Sequence, residues 1–190
     1  MAKKYEFKPD KPYSGFWEKL FLTRLQRKGL MKWSLYALSL LFLSVVQDVL
    51  LSRVRILGVT TELVPCAIFL ICLLEGLEKG SIFALTASLF YLFSGTAAGV
   101  YTIVFITALA VGVTWLRQSW LQGGFGAAML CTGLAMVAYE LVTCAFGAFL
   151  GLTSLVRVGS FLLCAAMTLL TAPAMYPVFK AIGGSEIWRE

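Results

Sequence analysis

A long stretch without charged residues is the feature that most constrains this chain. Between Gly80 and Arg117 the sequence contains no Lys, Arg, Asp or Glu. It holds two apolar runs, residues 81–93 and 100–116, joined by a turn of small residues at 94–99. A helix on the surface of a water-soluble protein carries a polar stripe with a period of about 3.6 residues, and neither run has one. The stretch therefore predicts a hairpin of two transmembrane helices, with the turn on one side of a bilayer and the charged ends on the other.

The composition extends this prediction to the whole chain. Of 190 residues, 59% are hydrophobic and 14% are charged, whereas roughly a quarter are charged in soluble domains. The net charge is +6, and nine of the 16 basic residues lie in positions 1–32, before the first apolar run. Anionic lipid headgroups are therefore the expected counter-charge, and a nucleic-acid partner is not expected.

Six apolar segments predict an all-α, polytopic membrane fold with six transmembrane helices. The predicted six-helix domain covers residues 33–179, between a basic tail at 1–32 and a short tail at 180–190. The tails and the even-numbered loops carry 13 Lys or Arg, and the odd-numbered loops carry three. This bias predicts that both termini are cytoplasmic. The predicted spans are approximately 33–51, 63–74, 81–93, 100–116, 125–146 and 158–178, the last ending in Pro173 and Pro177.

The basic tail contains a candidate lipid-interface helix. Its rings and aliphatic side chains recur at helical spacing, while its cations fall mostly elsewhere, which suits a helix lying in the headgroup region. An ordinary juxtamembrane linker is the alternative. The lipid-interface candidates are Phe16, Trp17, Lys19, Phe21, Arg24, Arg27 and Lys28.

Asp48 and Glu140 are the acidic residues expected within the spans, and Gln47 lies beside the first of them. Ionisable groups in a bilayer usually face the bundle interior and have a partner. These residues either form a polar cluster that binds something or join helices through hydrogen bonds. The cations expected nearest to them are Arg53, Arg55 and Arg157.

Small residues four apart form a further pattern, which allows helix backbones to approach closely. Gly95 and Gly99 show it, as do Gly147 and Gly151. Packing within the bundle and packing against another subunit are both compatible with the pattern.

Catalytic and metal-binding motifs are missing from the sequence. It has no histidine, its five cysteines lie in apolar runs without a CxxC pair, and no phosphate-binding loop or nucleophile elbow is present. We therefore expect no enzyme activity, no metal site and no cofactor, with the cysteines acting as small hydrophobic residues.

The order of several features resembles MreD, the integral-membrane component of the bacterial cell-wall elongation (rod) complex. That family typically has a first span ending in glutamine, a glycine-containing outer loop, a Gly-bounded cytoplasmic turn, a span ending in Ser-Gly, and a fourth span ending in arginine. The chain has Tyr91 and Thr61-Glu62 where family members commonly have an aspartate and a Pro-Asp pair. The matching residues are Gln47, Gly58, the turn at 75–80, Ser94, Gly95, Gly99, Tyr101 and Arg117.

The resemblance implies a non-enzymatic scaffold in the bacterial cytoplasmic membrane that maintains cell shape. Its implied partners are MreC, the MreB filament, and a RodA-type glycosyltransferase with its transpeptidase. The implied fold is similar to the substrate-binding subunits of energy-coupling-factor vitamin transporters. The candidate partner-binding residues, toward the outer ends of the spans, are Gln47, Asp48, Tyr91, Ser94, Gly95, Gly99, Tyr101 and Glu140.

A vitamin-binding subunit of such a transporter is the main alternative. It too would be a small basic six-helix protein, with a ligand pocket toward the outer half, where Asp48 and Glu140 are expected. Such subunits usually surround the ligand with several Trp, Asn, Tyr and His residues, but this chain has mostly aliphatic spans and no Asn.

Overall fold

The computed structural model describes residues 24–51, 53, 59–95, 97–120 and 124–184. All of the regular structure in these ranges is helical, which confirms the all-α prediction. Helix α1 continues as a π-helical segment, Gln47–Leu51, and a short 3-10 turn, Leu155–Arg157, precedes the last helix. The six α-helices are α1 (Arg24–Val46), α2 (Leu63–Glu75), α3 (Leu77–Phe93), α4 (Tyr101–Trp120), α5 (Phe125–Phe149) and α6 (Val158–Gly184).

One end of the bundle, which we call the terminal end, gathers the start of α1 and the ends of α2 and α6. Lys32 of α1 forms an ion pair of 2.7 Å with Glu75, the last residue of α2. The Tyr36 hydroxyl oxygen also lies 3.5 Å from the Phe179 carbonyl oxygen of α6. The first residues of α1 and the last residues of α6 therefore lie on the same side of the bundle.

The opposite end, which we call the distal end, gathers the end of α1 and the start of α2. The Val64 N–H of α2 donates to Gln47 Oε1 over 3.1 Å. Tyr101 at the start of α4 packs against Phe146 near the end of α5, with ring centroids 4.7 Å apart. Because helix starts and ends alternate between the two ends, consecutive helices run antiparallel, as the predicted hairpins require.

Helix α2 forms the centre of the bundle. It packs against each of the other five helices, and every residue from Leu63 to Leu73 is buried. Its sequence has no charge before Glu75 and no polar face, which is the pattern of a helix surrounded by protein. Pro65 falls in its first turn, where the missing N–H leaves no hydrogen bond unmade.

Four of the described helices are long and apolar enough to cross a bilayer. Helix α2 has 13 residues, a length of about 20 Å, which is short of a hydrocarbon core of about 30 Å. Helix α3 has 17 residues, about 26 Å by the same rise. The four long candidates are Gly29–Val49, Tyr101–Ser119, Phe125–Phe149 and Val158–Gly183.

The outer surface of the bundle is apolar. Large hydrophobic side chains on five of the helices are more than half exposed, which is far more apolar surface than a water-soluble monomer presents. Together with the four long helices, this exterior indicates a multi-pass membrane protein. The side chains include Leu38, Leu41, Phe42, Ile82, Leu85, Phe90, Phe93, Val104, Leu130 and Leu170.

Several helix boundaries differ from the expected ones: α3 begins at Leu77, inside the turn expected at 75–80, and α4 and α5 extend to Trp120 and Phe149. The last span was expected to end in Pro173 and Pro177, but α6 runs through both prolines to Gly184. Each proline removes one backbone donor without ending the helix, because packing against neighbouring helices holds its backbone. Helix α1 begins at Arg24, so the last residues of the basic tail are its first turns.

Candidate functional site: a buried polar cluster at the distal end

Three potential ligand groups meet at the distal end. The carboxylates of Glu62 and Glu140 and the thiol of Cys164 each contribute one atom, and these atoms all lie within 4.8 Å of one another. Glu62 immediately precedes α2, Glu140 lies in α5 and Cys164 lies in α6. We call these three residues the distal cluster.

Neighbouring helices hold Glu62 in place through the start of α2. The first N–H groups of a helix have no partner within it, and side chains of α1 and α6 supply them here. Thr168 Oγ1 accepts from the Glu62 N–H over 3.0 Å, and Gln47 accepts from the Val64 N–H. These bonds fix the backbone on both sides of the Glu62 carboxylate.

Two buried tyrosines bind the Glu62 carboxylate. The Tyr91 hydroxyl, at the end of α3, donates to Glu62 Oε2 over 3.5 Å, and Tyr139 of α5 also hydrogen-bonds Glu62. The Tyr139 ring packs edge-on against Phe69 of α2, with centroids 6.4 Å apart. Tyr91 and Glu62 are therefore in contact with each other.

Cys164 joins α6 to the segment before α2. Its Sγ donates to the Thr60 carbonyl over 2.9 Å, and Thr168, one helical turn later, donates to the Cys164 carbonyl over 2.8 Å. The thiol thus lies where residues 60–62 meet α6, beside the Glu62 carboxylate.

The electrostatics of the cluster are unusual. Burial raises the pKa of the Glu62 carboxyl to about 7. Two carboxylates this close in apolar surroundings do not both ionise without a counter-charge. Arg53 and Arg157 are exposed and form no ion pair with Glu140 among the described side chains, and the third expected arginine, Arg55, lies outside the described residues. Either a shared proton or a bound cation would relieve the repulsion between the two carboxylates.

One oxygen of the cluster lacks a hydrogen bond. Glu140 is 1% exposed, and its Oε1 is buried without a hydrogen-bond partner. Leaving a buried acceptor unpaired costs about 1–3 kcal/mol, and more for a charged group. The position therefore favours a bound donor or cation.

Two of the candidate partner-binding residues lie next to Glu62. Glu140 belongs to the distal cluster, and Tyr91 donates a hydrogen bond to Glu62. Gln47 and Asp48 are the first two residues of the π-helical segment. The Gln47 side chain is buried against the start of α2. The other candidates lie at the turn between α3 and α4. These are Ser94, Gly95, Gly99 and Tyr101.

The glycines of this turn do not form a helix contact. Gly95 has φ +79°, with nothing within 4 Å of where a Cβ would lie, so its role is conformational. A Cβ on Gly99 would lie 2.6 Å from Cε1 of Tyr101. The close backbone approach occurs at Gly80 instead, where a Cβ would lie 2.9 Å from the Cys72 carbonyl oxygen of α2.

Sequence reasoning missed Glu62, Tyr139 and Cys164. The sequence analysis proposes no site at Glu62, and it expects Cys164 to act as a small hydrophobic residue. Nothing in their spacing signals the cluster, since 24 or more positions separate its members. An acidic residue at the very start of an uncharged helix was the one available sign.

The terminal end carries another group of polar side chains, in which basic residues surround Glu75. Glu75 accepts from Lys32 and from the buried Tyr36 hydroxyl, each over 2.7 Å. The Arg117 guanidinium donates to the Leu73 carbonyl at the end of α2. A cavity of about 210 Å³ opens here, lined by Lys32, Leu74, Glu75, Lys180 and Gly183.

Of the lipid-interface candidates, Arg24, Arg27 and Lys28 lie in the first turns of α1. Phe16, Trp17, Lys19 and Phe21 lie outside the described residues.

The chain matches no protein-family model and shows no significant similarity to a curated protein or to a solved structure.

Proposed function

We propose that this chain is a non-enzymatic scaffold that crosses the bacterial cytoplasmic membrane six times, with both termini in the cytoplasm, and organises the cell-wall elongation complex. In this proposal it binds MreC on the outer side and in the membrane plane. It links a RodA-type glycosyltransferase and its transpeptidase to the MreB filament. The MreD-like order of residues from 40 to 117 suggests this assembly.

The close packing of the described interior is the observation that carries the proposal. Tyr91, Tyr139 and Glu140, which an outward-opening vitamin pocket would expose, are each at most 2% exposed. Helix α2 is buried from Leu63 to Leu73 between all five other helices. A binding subunit needs a cavity for a drug-sized molecule, typically about 300–1,000 Å³. A closed bundle that presents its outer surfaces to partners fits the architecture better.

The distal half of the α3–α4 hairpin is the proposed partner surface. Phe90, Phe93, Val100 and Val104 are each more than 60% exposed and lie close to the turn between the two helices. The small residues of the turn at 94–99 would let a partner's transmembrane helix approach closely, and the neighbouring rings would add van der Waals contact. We assign this surface to the membrane-spanning helix of the MreC-like partner.

The basic terminal end has a different role in the proposal. Lys32, Lys79, Arg117 and Lys180 lie at this end, where anionic headgroups of the cytoplasmic leaflet would attract them.

The test is purification of the tagged protein in mild detergent from its native membrane, with mass spectrometry of the co-purifying proteins. A coiled-coil periplasmic partner together with wall synthases would support the scaffold. A membrane coupling subunit with paired ATPases would overturn it in favour of a vitamin transporter subunit.

A matched pair of variants locates the surface. The double variant Phe90→Ala with Phe93→Ala should lower recovery of the MreC-like partner, while Ile82→Ala should leave it unchanged. Ile82 lies on the same helical face as Phe93, three turns nearer the terminal end, and is similarly exposed. Equal recovery with both would remove this surface from the interface.

A further inference from the structure

The distal cluster combines ligands that no local motif in the sequence brings together. Glu62, Glu140 and Cys164 come from three separate segments, yet their oxygen and sulfur atoms lie within 4.8 Å of one another. Sequence spacing gave no reason to expect a metal site, because zinc motifs are recognised from ligands that lie close together along the chain.

The unpartnered oxygen of Glu140 points independently to a ligand. The side chain is 1% exposed, it belongs to the cluster, and its Oε1 has no hydrogen-bond partner. A cation bound between the carboxylates would satisfy this oxygen and allow both groups to ionise together.

The donor set selects a class of metal. A thiolate with two carboxylates suits Zn²⁺, whereas Mg²⁺ and Ca²⁺ prefer oxygen ligands alone. Zinc bonds of about 2.3 Å to sulfur and about 2.0–2.2 Å to oxygen place tetrahedral ligands about 3.5 Å apart. Small side-chain shifts would bring the cluster to that spacing.

We propose that Glu62, Glu140 and Cys164 bind one Zn²⁺ ion that ties the start of α2 to α5 and α6. As the ion binds, the thiol proton of Cys164 and the proton shared between the two carboxylates both pass to water. The hydroxyls of Tyr91 and Tyr139, which bind Glu62, offset the remaining negative charge. Glu62 is only partly buried, which gives the ion a route from the distal side. The site is independent of the proposed scaffold function.

The experiment is a metal titration of the full-length protein, purified in detergent and stripped with a chelator. Isothermal titration with Zn²⁺ should give one ion per chain. Titration with Co²⁺ should give a thiolate-to-metal charge-transfer band in the near ultraviolet. Cys164→Ser and Glu140→Gln should each weaken Zn²⁺ binding by about tenfold or more, since even an outer-shell change typically costs 10–100-fold.

Cys144→Ser is the matched control. Cys144 is a buried cysteine of α5, one turn from Glu140, and is not part of the cluster, so this variant should bind zinc like the wild type. No zinc binding by the wild type, no thiolate band with Co²⁺, or equal losses in Cys144→Ser and Cys164→Ser would each overturn the proposal. The first result would leave a proton shared between the carboxylates. The Co²⁺ band needs no variant, so the test stands even where a substitution prevents folding.

Discussion

Polar residues inside this bundle are held by specific partners, and Tyr36 shows the pattern most clearly. The tyrosine is fully buried, and its hydroxyl donates to Glu75, which also pairs with Lys32. The hydroxyl, the carboxylate and the ammonium group each form a hydrogen bond or ion pair within this set, and each would be costly to bury without a partner. The three residues therefore fasten the start of α1 to the end of α2.

Replacing Tyr36 with Phe tests this fastening. The variant should lose about 1.5 kcal/mol of unfolding free energy, because a buried bond to a charged acceptor disappears while the ring stays. Denaturation in mixed micelles measures the change. Tyr101→Phe is the control, since its exposed hydroxyl donates to the Ala98 carbonyl over 3.3 Å, a neutral acceptor three residues away, and equal losses in both variants would contradict the account.

Glu62 predicts a pH dependence. Because burial raises its pKa in the folded protein from 4.5 to about 7, the folded state retains a proton that the unfolded state has lost between these values. The contribution to stability is present below pH 4.5 and disappears as the pH rises through about 7.

The measurement is the thermal midpoint of metal-free protein from pH 5 to pH 8, which should fall as the pH rises. Glu62→Gln should flatten this fall, because the amide does not titrate. An unchanged slope in the variant would assign the effect to another group, such as the neighbouring Glu140.

At the level of the helices, the α2–α3 hairpin depends on close backbone contact. A single residue, Gly76, joins the two helices, with φ +87° and ψ 178°, a conformation essentially restricted to glycine. One turn later, Gly80 faces the backbone of Cys72, whose thiol donates to the Gly80 carbonyl over 3.1 Å. The absence of a side chain at Gly80 allows the helices to approach this closely.

Gly80→Ala should therefore destabilise the protein by about 2 kcal/mol, in the range typical of overpacking. The added Cβ would lie 2.9 Å from the Cys72 carbonyl oxygen and 3.0 Å from its Cα, and backbone atoms cannot rotate away. Gly112→Ala in α4 is the control, because nothing lies within 4 Å of its Cβ position. Chemical denaturation in micelles compares them, and similar stability of the two variants would contradict the tight contact.

The helices were more predictable from the sequence than the site was. The uncharged stretch after Gly80 predicted the α3–α4 hairpin, because a run of consecutive apolar residues can be recognised from the local sequence without knowledge of tertiary contacts. The end of α6 was not predictable in the same way, since tertiary packing carries the helix through Pro173 and Pro177. The distal cluster depends wholly on tertiary contacts among Glu62, Glu140 and Cys164, so sequence analysis found only Glu140.

At the scale of the whole molecule, the bundle separates two kinds of polar group. Lys32, Glu75 and Lys180 lie at the terminal end, close to the start of α1 and the end of α6. Glu62, Glu140 and Cys164 lie at the distal end, where Tyr91 donates to Glu62. Antiparallel helices with apolar outer faces connect the two ends, and this arrangement suits a protein whose ends face different sides of a membrane.

Side-specific labelling tests this arrangement most directly. Ser154→Cys introduces a thiol at an exposed distal position and Lys79→Cys one at an exposed terminal position, while all five native cysteines are buried. In intact bacterial cells, a membrane-impermeant maleimide should label Ser154→Cys and should label Lys79→Cys only after the membrane is broken. Labelling of both variants in intact cells would contradict the membrane-crossing bundle, and the reverse pattern would contradict cytoplasmic termini.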